Sequence, residues 1–211
     1  MESQVPNIEK TVLEVDLVEY TRGAVNMQEN IGLPGLKMYE DQNREFINSG
    51  LKRLGLDRNE VVLGEAGDNA IIVLDDVEVA HALAQLIHQA TDEYNQSKSI
   101  ESAKRYFRMG AATGELLIEK PERRIIGTVI TRAVRLETAA EKGQLVIDVR
   151  TFQKLSPELQ RSYSTEQVIK SKNGEHYKAH RCNFICTSGE AHPWFAQVRQ
   201  VLCPWWHHPH Q

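Results

Sequence analysis

Apolar runs interrupted by single acids and glycines set the pattern of this chain. Thr11-Val12-Leu13-Glu14-Val15-Asp16-Leu17-Val18 predicts a strand over 10–18, and its nearly continuous apolar character suits a central strand covered on both faces. Val61-Val62-Leu63-Gly64-Glu65-Ala66 and Asn69-Ala70-Ile71-Ile72-Val73-Leu74 predict two short strands folded about Gly67-Asp68, with Asp68 at the hairpin tip. Between these regions, 31–35 with Pro34 reads as a loop. Leu36, Met38, Tyr39, Phe46, Ile47, Leu51 and Leu54 then form the stripe of a helix over 36–54.

Asp75-Asp76 supplies a cap for a second helix over 77–94. Its buried stripe is Ala80, Leu83, Ala84, Ile87 and Ala90, and His81 and His88 are read as solvent-facing. A polar linker at 96–100 leads to a strand over 106–118, a charged turn at 119–124 and a helix over 127–140. A strand over 144–149, a helical turn at 151–155 and a hairpin turning at Asn173-Gly174 complete the body. This order predicts an α/β (α+β) sandwich built on a ferredoxin-like βαββαβ core, with a C-terminal hairpin.

The length of 211 residues suits one domain with a real core. Residues 1–186 are assigned to it. Residues 187–211 form a tail in which Trp194, Phe195, Trp205 and Trp206 stand among histidines and prolines. The net charge of -4 argues against nonspecific nucleic-acid binding. No apolar run is long enough to span a bilayer, and residues 1–10 lack a signal-peptide core, so a cytoplasmic location is expected. Cys182, Cys186 and Cys203 are too few for a disulfide framework. Cys182 and Cys186 share one face of a strand and are read as buried thiols rather than zinc ligands. The chain contains no Walker phosphate loop and no Gly-Gly-Asp/Glu-Glu-Phe run.

The acids carry the chemistry. An acid closing a buried strand is costly unless it is paired or holds a cation. Asp16 and Asp68, on adjacent strands, would hold divalent cations beside a phosphate chain. A third stretch, Gly127-Thr128-Val129-Ile130-Thr131-Arg132-Ala133-Val134-Arg135-Leu136-Glu137, has the form of a helix entered from a glycine turn.

Together the three stretches resemble the class III nucleotidyl cyclases, the adenylate and guanylate cyclase catalytic domain. In that family a strand ends in Asp-Ile-x-x-Phe-Thr. A hairpin with Gly-Asp at its tip follows, then a Thr-Gly strand and a helix patterned Gly-x-x-Val-Asn-x-Ala-x-Arg-Leu-Glu. The resemblance runs from about residue 10 to about 183 and rests on the order and spacing of the motifs. It implies that Asp16, Asp68 and the Leu17 carbonyl hold two Mg²⁺ or Mn²⁺ ions per site, and that Arg135 neutralises charge at the α-phosphate. Arg132, three residues earlier, is read as surface charge. Tyr20 and Thr21 match an aromatic-Thr pair at the phosphate cradle. Lys170 and Lys172 match the position of a basic triphosphate-binding segment. In the family, metal ligands and transition-state arginine come from opposite chains, which implies a homodimer with composite sites.

Five positions depart from the family pattern. Glu19 stands where glycine is common, Ala112 replaces a histidine, and Thr131 replaces the asparagine that orients the ribose. The base-reading pair of adenylate cyclases, a Lys and an Asp or Thr, falls on Gly64 and Arg124. These departures, with the short chain, resemble the bacterial pyrimidine cyclases of Pycsar anti-phage defence, whose cyclic nucleotide activates a separate effector. The guanidinium of Arg124 suits the two carbonyls of uracil better than the amine-bearing edge of cytosine, which favours UTP over CTP. A purine cyclase and an inactive nucleotide-binding module remain the alternatives.

Overall fold

The computed structural model describes residues 8–119, 124–170 and 174–184. The tail with its tryptophans, Cys186, Cys203, Lys172 and Asn173 lies outside them. In chain order the elements are β1 (Ile8–Leu17), α1 (Tyr20–Ile31), α2 (Leu33–Arg53), α3 (Arg58–Val61), β2 (Val62–Ala66), β3 (Asn69–Leu74), α4 (Val77–Gln96), β4 (Phe107–Glu119), β5 (Arg124–Ile126), α5 (Thr128–Thr138), β6 (Gln144–Asp148), α6 (Val149–Phe152), α7 (Pro157–Gln160), β7 (Gln167–Lys170) and β8 (His176–Asn183).

The strands form one sheet in the order β2-β3-β1-β4-β6-β8-β7, and β5 pairs the far end of β4. β1 lies between β3 and β4, antiparallel to both. The succession β1, α1–α2, β2, β3, α4, β4 is the expected βαββαβ core, and β6 extends it in parallel with β4.

Alternation along β1 decides what reaches each face. Leu13, Val15 and Leu17 point into a core with Phe46 and Leu51 of α2, Leu83 and Ile87 of α4, and Phe107 of β4. Each such side chain, taken fully out of water, contributes about 1.5–3 kcal/mol. Phe46 meets Phe107 edge-on at 6.1 Å and Tyr94 at 5.5 Å. Val12 points the other way, into a smaller core with Val129, Ala133 and Leu136 of α5. Gly110 lets α5 approach: a Cβ there would lie 2.1 Å from the Glu137 backbone nitrogen and 2.3 Å from the Ala133 oxygen.

Several sequence expectations change. The loop expected at 31–35 contracts to Gly32, and α2 begins at Leu33 with Pro34 in its first turn. α1 was not anticipated: it fully buries no residue, and it meets the core only through the partly buried Tyr20, Ala24 and Met27. Of the charged turn expected at 119–124, Glu119 ends β4 and Arg124 opens β5, which pairs with Leu117–Glu119, and 120–123 lie outside the described residues. His81 and His88 are buried, not solvent-facing. His81 Nδ1 lies 2.9 Å from the Tyr163 hydroxyl, and the His88 ring stacks on Phe184 at 5.2 Å. Cys182 is buried, as its strand position implied.

Candidate active site

Asp16 is the penultimate residue of β1, and the β2–β3 hairpin turns through Gly67 at φ 62°, the left-handed region glycine tolerates. Antiparallel register sets Asp16 opposite Asn69 on one side and Arg108 on the other. Asp68, next to Asn69, therefore comes up beside Asp16. Burial and the Asp16 charge push the Asp68 carboxyl above its ordinary range.

Arg108 is the cation at this point. Its Nε and Nη2 lie 2.8 and 2.7 Å from Asp16 Oδ2, and its Nε lies 2.5 Å from Glu137 Oε1 on α5. Sequence reading missed it. Its only signal was its place one residue before Met109-Gly110, and its role arises from cross-strand register.

Glu14, two residues before Asp16, points to the same face. It is 3% exposed, and its Oε2 has no hydrogen-bond partner among the described residues. Burial, then the charges of Glu137, Asp16 and Asp68, pushes its carboxyl up to about 8. Glu137 is raised too, by burial and then by Asp16. The patch thus carries more carboxyl than cation.

The donor set suits a hard divalent ion. Asp16 and Asp68 supply oxygen ligands, and their mutual repulsion is what an added cation relieves. The side chain of Leu17 is buried, so any ligand it offers is its backbone carbonyl. Among the described residues no three His, Cys, Asp or Glu side chains form a closed metal cage. Two carboxylates completed by substrate phosphate and water are how Mg²⁺ is commonly held.

The turn into α1 follows directly. Glu19, at the glycine position of the resemblance, takes φ 60° and ψ 25°, the left-handed conformation of a glycine turn, and precedes α1 without a side-chain capping bond. The Tyr20 hydroxyl donates to Glu40 Oε1 at 2.7 Å, and burial with that bond raises its proton affinity. Tyr20 packs beneath the hairpin tip at Gly67, while Thr21 is exposed on the first turn of α1.

α5 splits its residues between two directions. Glu137 turns under the sheet to Arg108. Arg135 bonds Glu175 and the Tyr177 hydroxyl, not either aspartate. Thr131, one turn earlier and on the same side as Arg135, is exposed. Arg132 is not free surface charge: its Nη1 lies 3.1 Å from Oδ2 of buried Asp148.

The remaining expected residues sit on other strands. Gly64 is half-buried on β2 at a register shift, beside Ile71. Arg124 is exposed on β5, 3.7 Å from Glu119. Lys170 is exposed at the end of β7, opposite His176.

Comparison with protein-family models and with curated proteins returned no match. Comparison with solved structures returned many. An adenylate/guanylate cyclase/hydrolase from Silicibacter pomeroyi superposes with a TM-score of 0.67 at 19% identity, over 84% of this chain and 98% of that one. The adenylyl cyclase CyaB from P. aeruginosa gives 0.63 at 16% identity, over 89% and 98%. The chain has the cyclase catalytic-domain fold. A Trypanosoma brucei adenylate cyclase, described in its monomeric state, shares that fold with a TM-score of 0.64 at 16% identity, over 90% and 95%. Among the described residues, no helix of this cyclase-fold chain is long and apolar enough to cross a membrane.

Proposed function

We propose that this chain is a nucleotidyl cyclase that converts UTP to 3′,5′-cyclic UMP and pyrophosphate. The observation that carries the reading is the meeting of Asp16 and Asp68 beside Arg108, with Arg135 turned to a different surface. In the reaction the ribose 3′ oxygen attacks the α-phosphate and pyrophosphate leaves. Asp16 and Asp68 would hold Mg²⁺ or Mn²⁺. Bound there, the metal lowers the proton affinity of the 3′ hydroxyl and offsets triphosphate charge. Arg108, half-buried against Asp16, stands where it can follow that charge. Amides after Asp16, in the turn shaped by Glu19, cradle the terminal phosphates, with Thr21, Lys170 and Lys172 as further contacts.

Arg135 and Thr131 face outward together, so we assign them to the site of a partner subunit, where Arg135 neutralises charge on the α-phosphate and Thr131 meets the ribose. Arg124 reads the uracil carbonyls, and Gly64 contributes no donor to compete with it. On this reading the product is a cytosolic second messenger of anti-phage defence, acting on a separate effector.

Purified protein incubated separately with ATP, GTP, CTP and UTP, with Mn²⁺ or Mg²⁺, tests the proposal. Cyclic UMP from UTP alone is the expected result. Cyclic CMP would overturn the role of Arg124 and keep the mechanism. A purine product is the second reading, favoured because structures of this fold are named adenylyl and guanylyl cyclases. Mixed Asp68→Ala and Arg135→Ala chains should regain activity that each lacks alone, and folded mixtures that stay inactive would refute the composite site.

A further inference from the structure

Arg135 is held by one end. Its Nη1 bonds both Glu175 and the hydroxyl of Tyr177, and its guanidinium carbon lies 5.7 Å from the centre of the Tyr177 ring. The Tyr177 hydroxyl in turn donates to Glu175, so guanidinium, hydroxyl and carboxylate close a triangle. Nε and Nη2 of Arg135 donate to no described residue. A guanidinium carries five N–H donors in a fixed plane, so gripping one end sets the direction of the other.

The anchor is firm where the aim is decided. Tyr177 stands on β8 opposite Ile169 of β7, and its ring packs against the small core that contains Val129, Ala133 and Leu136. That packing fixes the hydroxyl oxygen relative to α5, the helix that carries Arg135. The hydrogen bond to Glu175 raises the proton affinity of the hydroxyl, so it keeps the proton it donates and accepts from Arg135. The side chain of Arg135 is 28% exposed and that of Glu175 52%. An ion pair this open adds little to stability, and what it supplies instead is a restricted geometry for a long, flexible cation.

We infer that Tyr177, with Glu175, positions Arg135: the pair grips Nη1 and leaves the Nε and Nη2 edge to meet the phosphate of a nucleotide bound by the partner subunit. Removing the freedom of the guanidinium beforehand is what lets it act on charge as that charge develops. The inference rests on the composite site proposed above and adds the residues that aim its arginine.

Kinetics and subunit mixing test it, with Mn²⁺ and UTP or whichever of the four triphosphates the wild-type chain cyclises. Tyr177→Phe keeps the ring and removes the hydroxyl. Its kcat should fall at least about tenfold with KM within about twofold, because a charge-assisted bond is lost from a group that acts on the transition state. Mixed with Asp68→Ala, it should reach the activity of the Asp68→Ala and Arg135→Ala mixture. One site of that mixed dimer takes its aspartates from the Tyr177→Phe chain and a properly held Arg135 from the other. Mixed with Arg135→Ala, it should regain nothing. A merely structural defect would not divide its partners in this way. Glu175→Gln, too exposed to threaten the fold, should also lower kcat; a rise would make the carboxylate a restraint on Arg135 and overturn the inference. Wild-type kcat in Tyr177→Phe would overturn it too, as would a loss that Arg135→Ala repairs as well as Asp68→Ala does. If Asp68→Ala and Arg135→Ala fail to complement each other, the composite site falls and this role with it. If they complement and Tyr177→Phe divides its partners differently, the positioning role alone falls.

Discussion

The two faces of the sheet are built from the same strands and do opposite work. Toward α2 and α4, β1 and β4 present Leu13, Val15, Leu17, Phe107 and Met109, all essentially solvent-free and closed by aromatic contacts. Toward α5, the alternate residues of the same strands are Glu14, Asp16 and Arg108, with Glu137 above them. Burial of carbon holds the first face together. The second keeps carboxyls close enough to raise one another's proton affinity, against general electrostatic preference. Such a patch is tolerable because the opposite face anchors the strands, and a bound cation would relieve it.

That contrast can be broken at several points. The largest effect is expected from Asp16→Ala, which should remove about 10³-fold or more of cyclase activity while the chain stays folded. Turnover near wild type, assayed by cyclic product, would move the chemistry elsewhere. Next is Phe107→Ala on the dry face, which should cost about 3–5 kcal/mol in denaturant unfolding. A loss below about 1 kcal/mol would mean that this face is not the anchor.

The charged face should show itself in pH. Glu14 is raised from about 4.5 to about 8, so its stabilising contribution is complete below the lower value and is lost as pH rises through the upper one. The depressed histidines behave oppositely: their contribution is present above about 6.5 and lost only as pH falls toward their folded values. Between pH 6.5 and 8.5 the carboxyls therefore act without them. Chelator-treated protein should lose thermal stability across that window, and Glu14→Gln should flatten most of the slope. An unchanged slope in the variant would count against a buried, unpartnered Glu14.

The smallest effect belongs to the turn between β1 and α1. Glu19→Gly relieves a left-handed backbone that costs a non-glycine residue about 1–2 kcal/mol, offset by the entropy glycine loses on folding. A gain of at most about 1 kcal/mol is expected in chemical denaturation. A clear destabilisation would show that the Glu19 side chain is needed.

Much of this architecture was legible in the residues. The β1 run, the hairpin at Gly67-Asp68, the stripes of α2 and α4 and the helix after Gly127 declare themselves because each pairs strong periodicity with a turn or cap. α1 did not, because its contact with the core is a short, half-buried stripe of Tyr20, Ala24 and Met27 set among polar residues. His81 and His88 were misjudged because polarity alone says nothing of Tyr163 and Phe184, which come from distant parts of the chain to cover them. Asp16 and Asp68 could be read from strand ends. Arg108 could not, since it matters only through a neighbour 92 positions away.

The pleat of β1 acts as a ruler with a two-residue period. A single residue inserted near its middle would leave the outline of the sheet almost untouched and exchange the contents of its faces from that point onward. Asp16 would enter the aromatic core, and Val15 would take its place on the charged face. Over this strand, then, the chain can drift in side chains but not in length. Any lineage that keeps the chemistry must also keep the count of residues between the dry half of the strand and its acid.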